Sequence, residues 1–159
     1  MLKCVIFDFD LTLFDSREVE FFRNTRQWSL VYENLDKCSF YPNVKELLST
    51  LKKKNIKVAI VSNAPKKYII NALELNSIDI DYLVAYHDVK QHKPSPKGTY
   101  LILKHFALST KEIIYVGNND IDYNTALNSN IPFYSVKWGT VSNQNTTTID
   151  FFNLLTHIL

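Results

Sequence analysis

Three polar residues stand at alternate positions in the stretch VIFDFDLTLF (residues 5–14): Asp8, Asp10 and Thr12. On an extended backbone, residues i and i+2 point to the same side, so both carboxylates can face one site. Two carboxylates that close cannot both stay charged cheaply. A cation must lie between them, or one must hold a proton. Either state is chemically useful. A divalent cation held by Asp8, by the main-chain oxygen of Asp10 and by a further carboxylate would have only oxygen ligands and room for water, which suits Mg²⁺ better than zinc. A protonated Asp10 could serve as a general acid.

Such groups need elements to carry them. Continuous apolar runs at residues 3–9, 57–62, 82–86, 113–117 and 133–136 read as strands buried on both faces. Helical patterns lie between them. Val44, Leu47, Leu48 and Leu51 recur at i, i+3, i+4, i+7 after Pro42, and Lys52–Lys54 complement the negative end of that helix. Asn63 before Ala-Pro reads as the N-cap of a helix reaching about Leu75. Ser95-Pro96 repeats the signal for a helix through about Phe106, and residues 120–130 form a short one. Thr147 with Asp150 reads as an acidic capping box for a last helix striped by Phe151, Leu154, Leu155 and Ile158.

Alternating strands and helices predict a three-layer α/β/α, Rossmann-like fold around a central parallel sheet of about five strands. In such sheets ligands bind off the carboxyl ends of the strands. Asp8, Asp10 and Thr12 follow the first strand, Ser62 and Asn63 the second, Lys93 the third, and Asn118, Asp120 and Asp122 the fourth. Four separate segments thus deliver metal- and phosphate-type groups to one edge.

The 159 residues fit one domain, residues 1–159, and 46% apolar content against 21% charged is ordinary globular composition. A net charge of +2 gives no signal for nucleic acid or an anionic membrane. No stretch is long enough to span a bilayer, and the N-terminus lacks the regions of a signal peptide. Cys4, in a strand run, reads as a buried small hydrophobe, which fits a reducing, cytoplasmic setting. His87, His92, His105 and His157 show no metal-ligand spacing.

The segments FDFDLTLFDS, KVAIVSNAP, HKPSP and IIYVGNNDIDYNTA, in that order, resemble the haloacid dehalogenase-like hydrolases, mostly Mg²⁺-dependent phosphatases. The resemblance covers nearly the whole chain and implies roles residue by residue. Asp8 matches the nucleophile that forms an aspartyl-phosphate, and Asp10 the general acid/base that protonates the leaving oxygen and then activates water. Thr12 matches the residue that positions the acid/base. Ser62 matches the phosphate-binding hydroxyl, with Asn63 and the helix start behind it as further phosphate donors. Lys93 matches the lysine that holds nucleophile and phosphate together. Asp122 matches the second acid of the Gly-Asp-x-x-x-Asp motif. The first acid of that motif is Asn118 here, so the site loses a negative charge. Asp122 then becomes a candidate direct metal ligand with Asn118 as a weaker one, and Asp120 a third.

Residues 16–41 form a short helical insert in place of a full cap domain. The chain's three arginines, Arg17, Arg23 and Arg26, all lie there. Arg23 or Arg26 leaning over the cleft would bind an anionic substrate group; a solvated helix with a Glu20–Arg23 pair is the plainer reading. The aromatics Phe21, Phe22, Trp28 and Tyr32 read as core. The expected partner is a phosphorylated substrate, small, or macromolecular if the site is open. Two other functions compete. One is a receiver-like signalling domain accepting phosphate near Asp88, and the other a binding or regulatory module that kept the fold and lost turnover.

Overall fold

The computed structural model describes residues 1–158. Its main sheet has six parallel strands: β1 (Cys4–Phe7), β4 (Lys57–Val61), β5 (Tyr82–Val84), β6 (Ile113–Gly117), β7 (Phe133–Val136) and β8 (Thr147–Ile149). Their spatial order is β5-β4-β1-β6-β7-β8. The chain builds outward from β1 in one direction through β4 and β5, then crosses back to β6. That reversal opens a crevice at the carboxyl ends beside β1, where such folds bind ligands. The short strands β2 (Phe14–Asp15) and β3 (Ser39–Phe40) pair antiparallel apart from the main sheet.

The apolar runs are continuous because each strand is covered twice. Val5 and Phe7 face a core shared with α3 (Val44–Lys53), α4 (Lys66–Leu75) and α7 (Phe151–Ile158). Cys4 and Ile6 face the opposite core, with Ile102 of α5 (Lys97–Phe106) and Ala126 of α6 (Asp120–Asn128). The insert folds as α1 (Glu20–Asn24) and α2 (Trp28–Glu33), anchored on the first core by Val19, Val31 and Leu35. Phe22, Trp28 and Tyr32 pack against that core, whereas Phe21 is 67% exposed and is not part of it.

Several boundaries differ from the sequence pattern. The sheet has six strands rather than about five. The additional strand is Thr147–Ile149, which pairs with β7 where a helix start was expected. The cap of α7 is Asp150 alone, whose Oδ1 accepts from the Asn153 N–H at 2.8 Å. A three-residue strand carries too little pattern to be seen against a capping signal. Helix α4 begins at Lys66 with Pro65 at its N-cap position, so Asn63 is not the cap, and its amide binds the Lys93 main chain instead. Strand β1 ends at Phe7, after which the Phe9 carbonyl accepts from the N–H groups of Thr12, Leu13 and Phe14. This tight turn, with Leu11 left-handed at φ 59°, throws Asp8, Asp10 and Thr12 onto the sheet edge.

Both cysteines are free and buried. Burial, helped by Asp81, pushes the Cys4 thiol up to about 12, and burial pushes Cys38 up to about 11. The thiolate is the reactive form. Neither thiol should therefore react with a disulfide reagent at pH 8 in the folded protein, while both react in denaturant. Labelling in the folded state at the denatured rate would contradict this packing.

Candidate active site

Segments following β1, β4, β5 and β6 contribute to one cleft of about 260 Å³, lined by Asp8, Asp10, Ser62, Lys93, Asn119 and residues of the insert. Lys93 occupies its floor. Its Nζ lies 2.7 Å from Asp8 Oδ1 and 2.7 Å from Asp122 Oδ1, and its side chain is only 6% exposed. Burial opposes the ammonium charge, but the carboxylates of Asp122 and Asp8 outweigh it and hold Lys93 well above the ordinary lysine value. The loop carrying Lys93 is pinned by Asn63, whose amide accepts from the Lys93 N–H at 3.1 Å and donates to the Lys93 carbonyl at 3.3 Å. Asn63 therefore shapes the cleft wall, and its side chain is engaged rather than free for phosphate.

Asp122 is wholly buried at the start of α6. Its Oδ1 takes the Lys93 ammonium, and its Oδ2 accepts from the Asn118 main-chain N–H at 3.0 Å. Burial and the charge of Asp8 raise its carboxyl to about 6, against the pull of Lys93. Both its oxygens are engaged and it has no exposed surface. Asp120 is further away in function. Both its oxygens bind Ser142, one from the N–H at 2.7 Å and one from the hydroxyl at 2.6 Å. Among the described residues, no group of three or more His, Cys, Asp or Glu side chains converges on one point.

Thr12 also differs from its expected part. Its hydroxyl donates to Asp8 Oδ2 at 3.0 Å and neighbours the Asn118 side chain at 3.2 Å. It orients Asp8, not Asp10. The Asn118 amide satisfies its surroundings when its NH₂ faces Asp8 Oδ2 at 3.0 Å, Asp122 Oδ2 at 3.2 Å and the Thr12 hydroxyl. Asparagine there donates to the two carboxylates, where an aspartate would repel both.

Asp10 faces the same cleft but has its own partners. Tyr68 of α4 donates its hydroxyl to Asp10 Oδ1 at 2.6 Å, and Arg23 Nη2 lies 2.9 Å from Asp10 Oδ2. Arg23 also donates to Ser16 Oγ at 2.8 Å and stacks over the Tyr68 ring. Burial raises the Asp10 carboxyl above the usual carboxylate range, opposed by Arg23 and Tyr68. The expected Glu20–Arg23 pair does not form; Arg23 turns into the cleft. Ser62 lies beneath, its Oγ accepting from the Ala64 N–H at 3.1 Å, with its own proton uncommitted among the described residues. Asp88 pairs with Lys66 at 2.7 Å, accepts from the Ala85 N–H and does not line this cleft.

Sequence reasoning missed Tyr68, Ser16 and Asn119. Tyr68 sits at a core position of an amphipathic helix, where only its hydroxyl is polar. Asn119 caps α6 by accepting from the Asp122 N–H at 3.1 Å; its cap position was the one available signal.

Paired acids and a buried lysine thus meet at the switch point of a parallel α/β sheet. Residues 19–136 match the family model for haloacid dehalogenase-like hydrolases. The chain belongs to that family. It is 35% identical over 101 residues to a phosphoglycolate phosphatase of Pasteurella multocida, covering 61% of this chain and 45% of the relative. It is 29% identical over 150 residues to one of Haemophilus influenzae, covering 87% and 67%. The chain thus spans about half to two thirds of the length of these curated relatives. In fold it is similar to a subfamily IA hydrolase of the superfamily from Geobacter sulfurreducens, with a TM-score of 0.81, 18% identity and coverage of 99% and 97%.

Gly117, the last residue of β6, allows Asp122 to approach. A Cβ there would lie 2.4 Å from Asp122 Cβ and 2.6 Å from its Cγ. Gly117→Ala should cost about 2 kcal/mol or more in urea unfolding, because overpacking cannot be relieved without displacing the acid that holds Lys93. An unchanged midpoint would contradict this contact.

Proposed function

We propose that the chain hydrolyses phosphomonoesters through an aspartyl-phosphate on Asp8. The observation that carries the reading is the Lys93 ammonium, 2.7 Å from Asp8, beside a second, buried carboxyl on Asp10. Asp8 Oδ attacks phosphorus and the bond from phosphorus to the ester oxygen breaks. Asp10, whose carboxyl burial raises above the usual carboxylate range against Arg23 and Tyr68, gives a proton to the departing oxygen. Asp10 then takes a proton from water, which attacks phosphorus and releases inorganic phosphate with Asp8 restored. Lys93 offsets the repulsion between carboxylate and phosphoryl group, and the Ser62 hydroxyl donates to a phosphoryl oxygen. Thr12 holds Asp8 in line. Phosphoglycolate, on which the named relatives act, is the first substrate to test.

Asp8, the main-chain oxygen of Asp10 and the Asn118 side-chain oxygen make an all-oxygen donor set with one anionic side chain. That set fits Mg²⁺ with several waters retained. The cation would supply charge neutralisation on the transferred phosphoryl group. Binding it requires the Asn118 amide to turn its oxygen inward and give up its contacts to Asp8 and Asp122. Asn118→Asp should therefore bind Mg²⁺ at least about tenfold more tightly, read as a larger rise of Tm with added Mg²⁺. An equal Mg²⁺ response in both proteins would remove Asn118 from the donor set.

We further propose that residues 1–159 act as one domain whose short insert, residues 16–41, replaces a cap. The setting is cytoplasmic, which the two free buried thiols support; no helix among the described residues is long and apolar enough to cross a membrane. A binding module without turnover is the second reading, favoured by the neutral Asn118. A phosphomonoester panel with and without Mg²⁺ decides between them. Turnover should be metal-dependent and fall more than about a thousandfold in Asp8→Asn. Rates equal to wild type in that variant would remove the nucleophile, and no turnover by wild type would favour the binding module.

A further inference from the structure

Beyond Arg23 the cleft continues into a second cavity of about 320 Å³. Arg23, Trp28, Asn63 and Pro65 line both spaces, and Arg26, Tyr86 and His87 complete the second. Its side is fixed by the chemistry. Asp10 is the proposed proton donor to the leaving oxygen, and Arg23 sits 2.9 Å from Asp10 on the way into this cavity. The group that departs from phosphorus therefore faces it.

Three features give the cavity its preference. Its lining holds two arginines and a histidine and no carboxylate. The neighbouring acid, Asp88, is taken up by Lys66 and the Ala85 N–H. One guanidinium of the lining, that of Arg26, is left over. Arg26 makes no side-chain ion pair or hydrogen bond among the described residues, whereas Arg23 is committed to Asp10 and Ser16. Arg26 is also held in place. It lies in the turn between α1 and α2, where its N–H binds the Arg23 carbonyl at 3.1 Å and the following N–H binds the Phe22 carbonyl at 2.8 Å.

The unpaired Arg26 guanidinium, facing a carboxylate-free pocket, suits a planar or tetrahedral oxyanion, which it binds through paired N–H donors. We infer that the substrate carries a second anionic group, a carboxylate or a second phosphate, on its leaving-group side, received in this cavity by Arg26. The inference rests on the phosphatase reading and narrows its substrate class to small phosphomonoesters with two anionic ends. Arg26 is then a specificity-determining residue. It binds a remote group equally in ground and transition states, so its loss belongs in KM rather than kcat.

Two matched pairs test this: 3-phosphoglycerate against glycerol 3-phosphate, and 2-phosphoglycolate against 2-hydroxyethyl phosphate. Within each pair the phosphoryl end is the same and only the distal anion differs. Wild type should favour the carboxylate member of at least one pair by about tenfold or more in kcat/KM. Arg26→Met should shrink that preference about tenfold, through KM, and Arg26→Lys should retain part of it. No preference in either pair, or equal losses on both members in Arg26→Met, would overturn the inference. If wild type hydrolyses none of the four, the phosphatase reading fails on its own account. Calorimetric binding of 3-phosphoglycerate then decides. Affinity about tenfold weaker in Arg26→Met supports the anion site, and equal affinity overturns it.

Discussion

One buried ammonium organises this molecule's functional edge. Lys93 arrives on a loop after β5 and meets Asp8 at the end of β1 and Asp122 at the start of α6. Charges so deeply withdrawn from water are costly singly and tolerable only together. The three groups are therefore mutually required, and each fixes a different segment of the chain. Asn63 holds the lysine's backbone, Gly117 lets Asp122 come close, and the Asn118 and Thr12 side chains cover the remaining faces of the two carboxylates. Asp8 and Asp122 thus share one lysine at this edge.

The second carboxylate has a different environment two residues away. Asp10 meets Tyr68 from a helix of the main fold and Arg23 from the insert. Beneath them Phe9 stacks on Phe14 and meets Phe40 and Tyr68 edge-on, so an apolar cluster ties the insert to the turn that carries both acids. Two like carboxyls thus acquire unlike surroundings, which is how one short motif can hold a charged nucleophile and a proton donor together. The insert is small for a cap, yet it supplies the cation at the cleft mouth.

Much of this was legible in the sequence. Continuous apolar runs gave five of the six parallel strands, and the groups after their carboxyl ends did converge. Asp8, Asp10, Ser62 and Lys93 line one cleft. What was not legible lay in directions rather than positions. The spacing of Asp8 and Asp10 suggested a cation between them or a proton on one of them, and each acid meets a cation from a distant segment, Lys93 or Arg23. Thr12 turns to Asp8 because the tight turn after Phe9 sets its direction, and no spacing rule encodes that. The burial of Asp122 and the commitment of both its oxygens are tertiary facts. Tyr68 was hidden as a core residue, and β8 was too short to show a period.

The central claim is that Lys93 and Asp122 stabilise the fold as a pair. A double-mutant cycle of Lys93→Met and Asp122→Asn, followed by urea unfolding at pH 7, measures it most directly. Each single substitution should cost several kcal/mol, and the double should cost less than their sum by about 2 kcal/mol or more, because removing one partner strands the other. Costs that simply add would mean that the two side chains do not depend on one another, and the account of this site would fail with them.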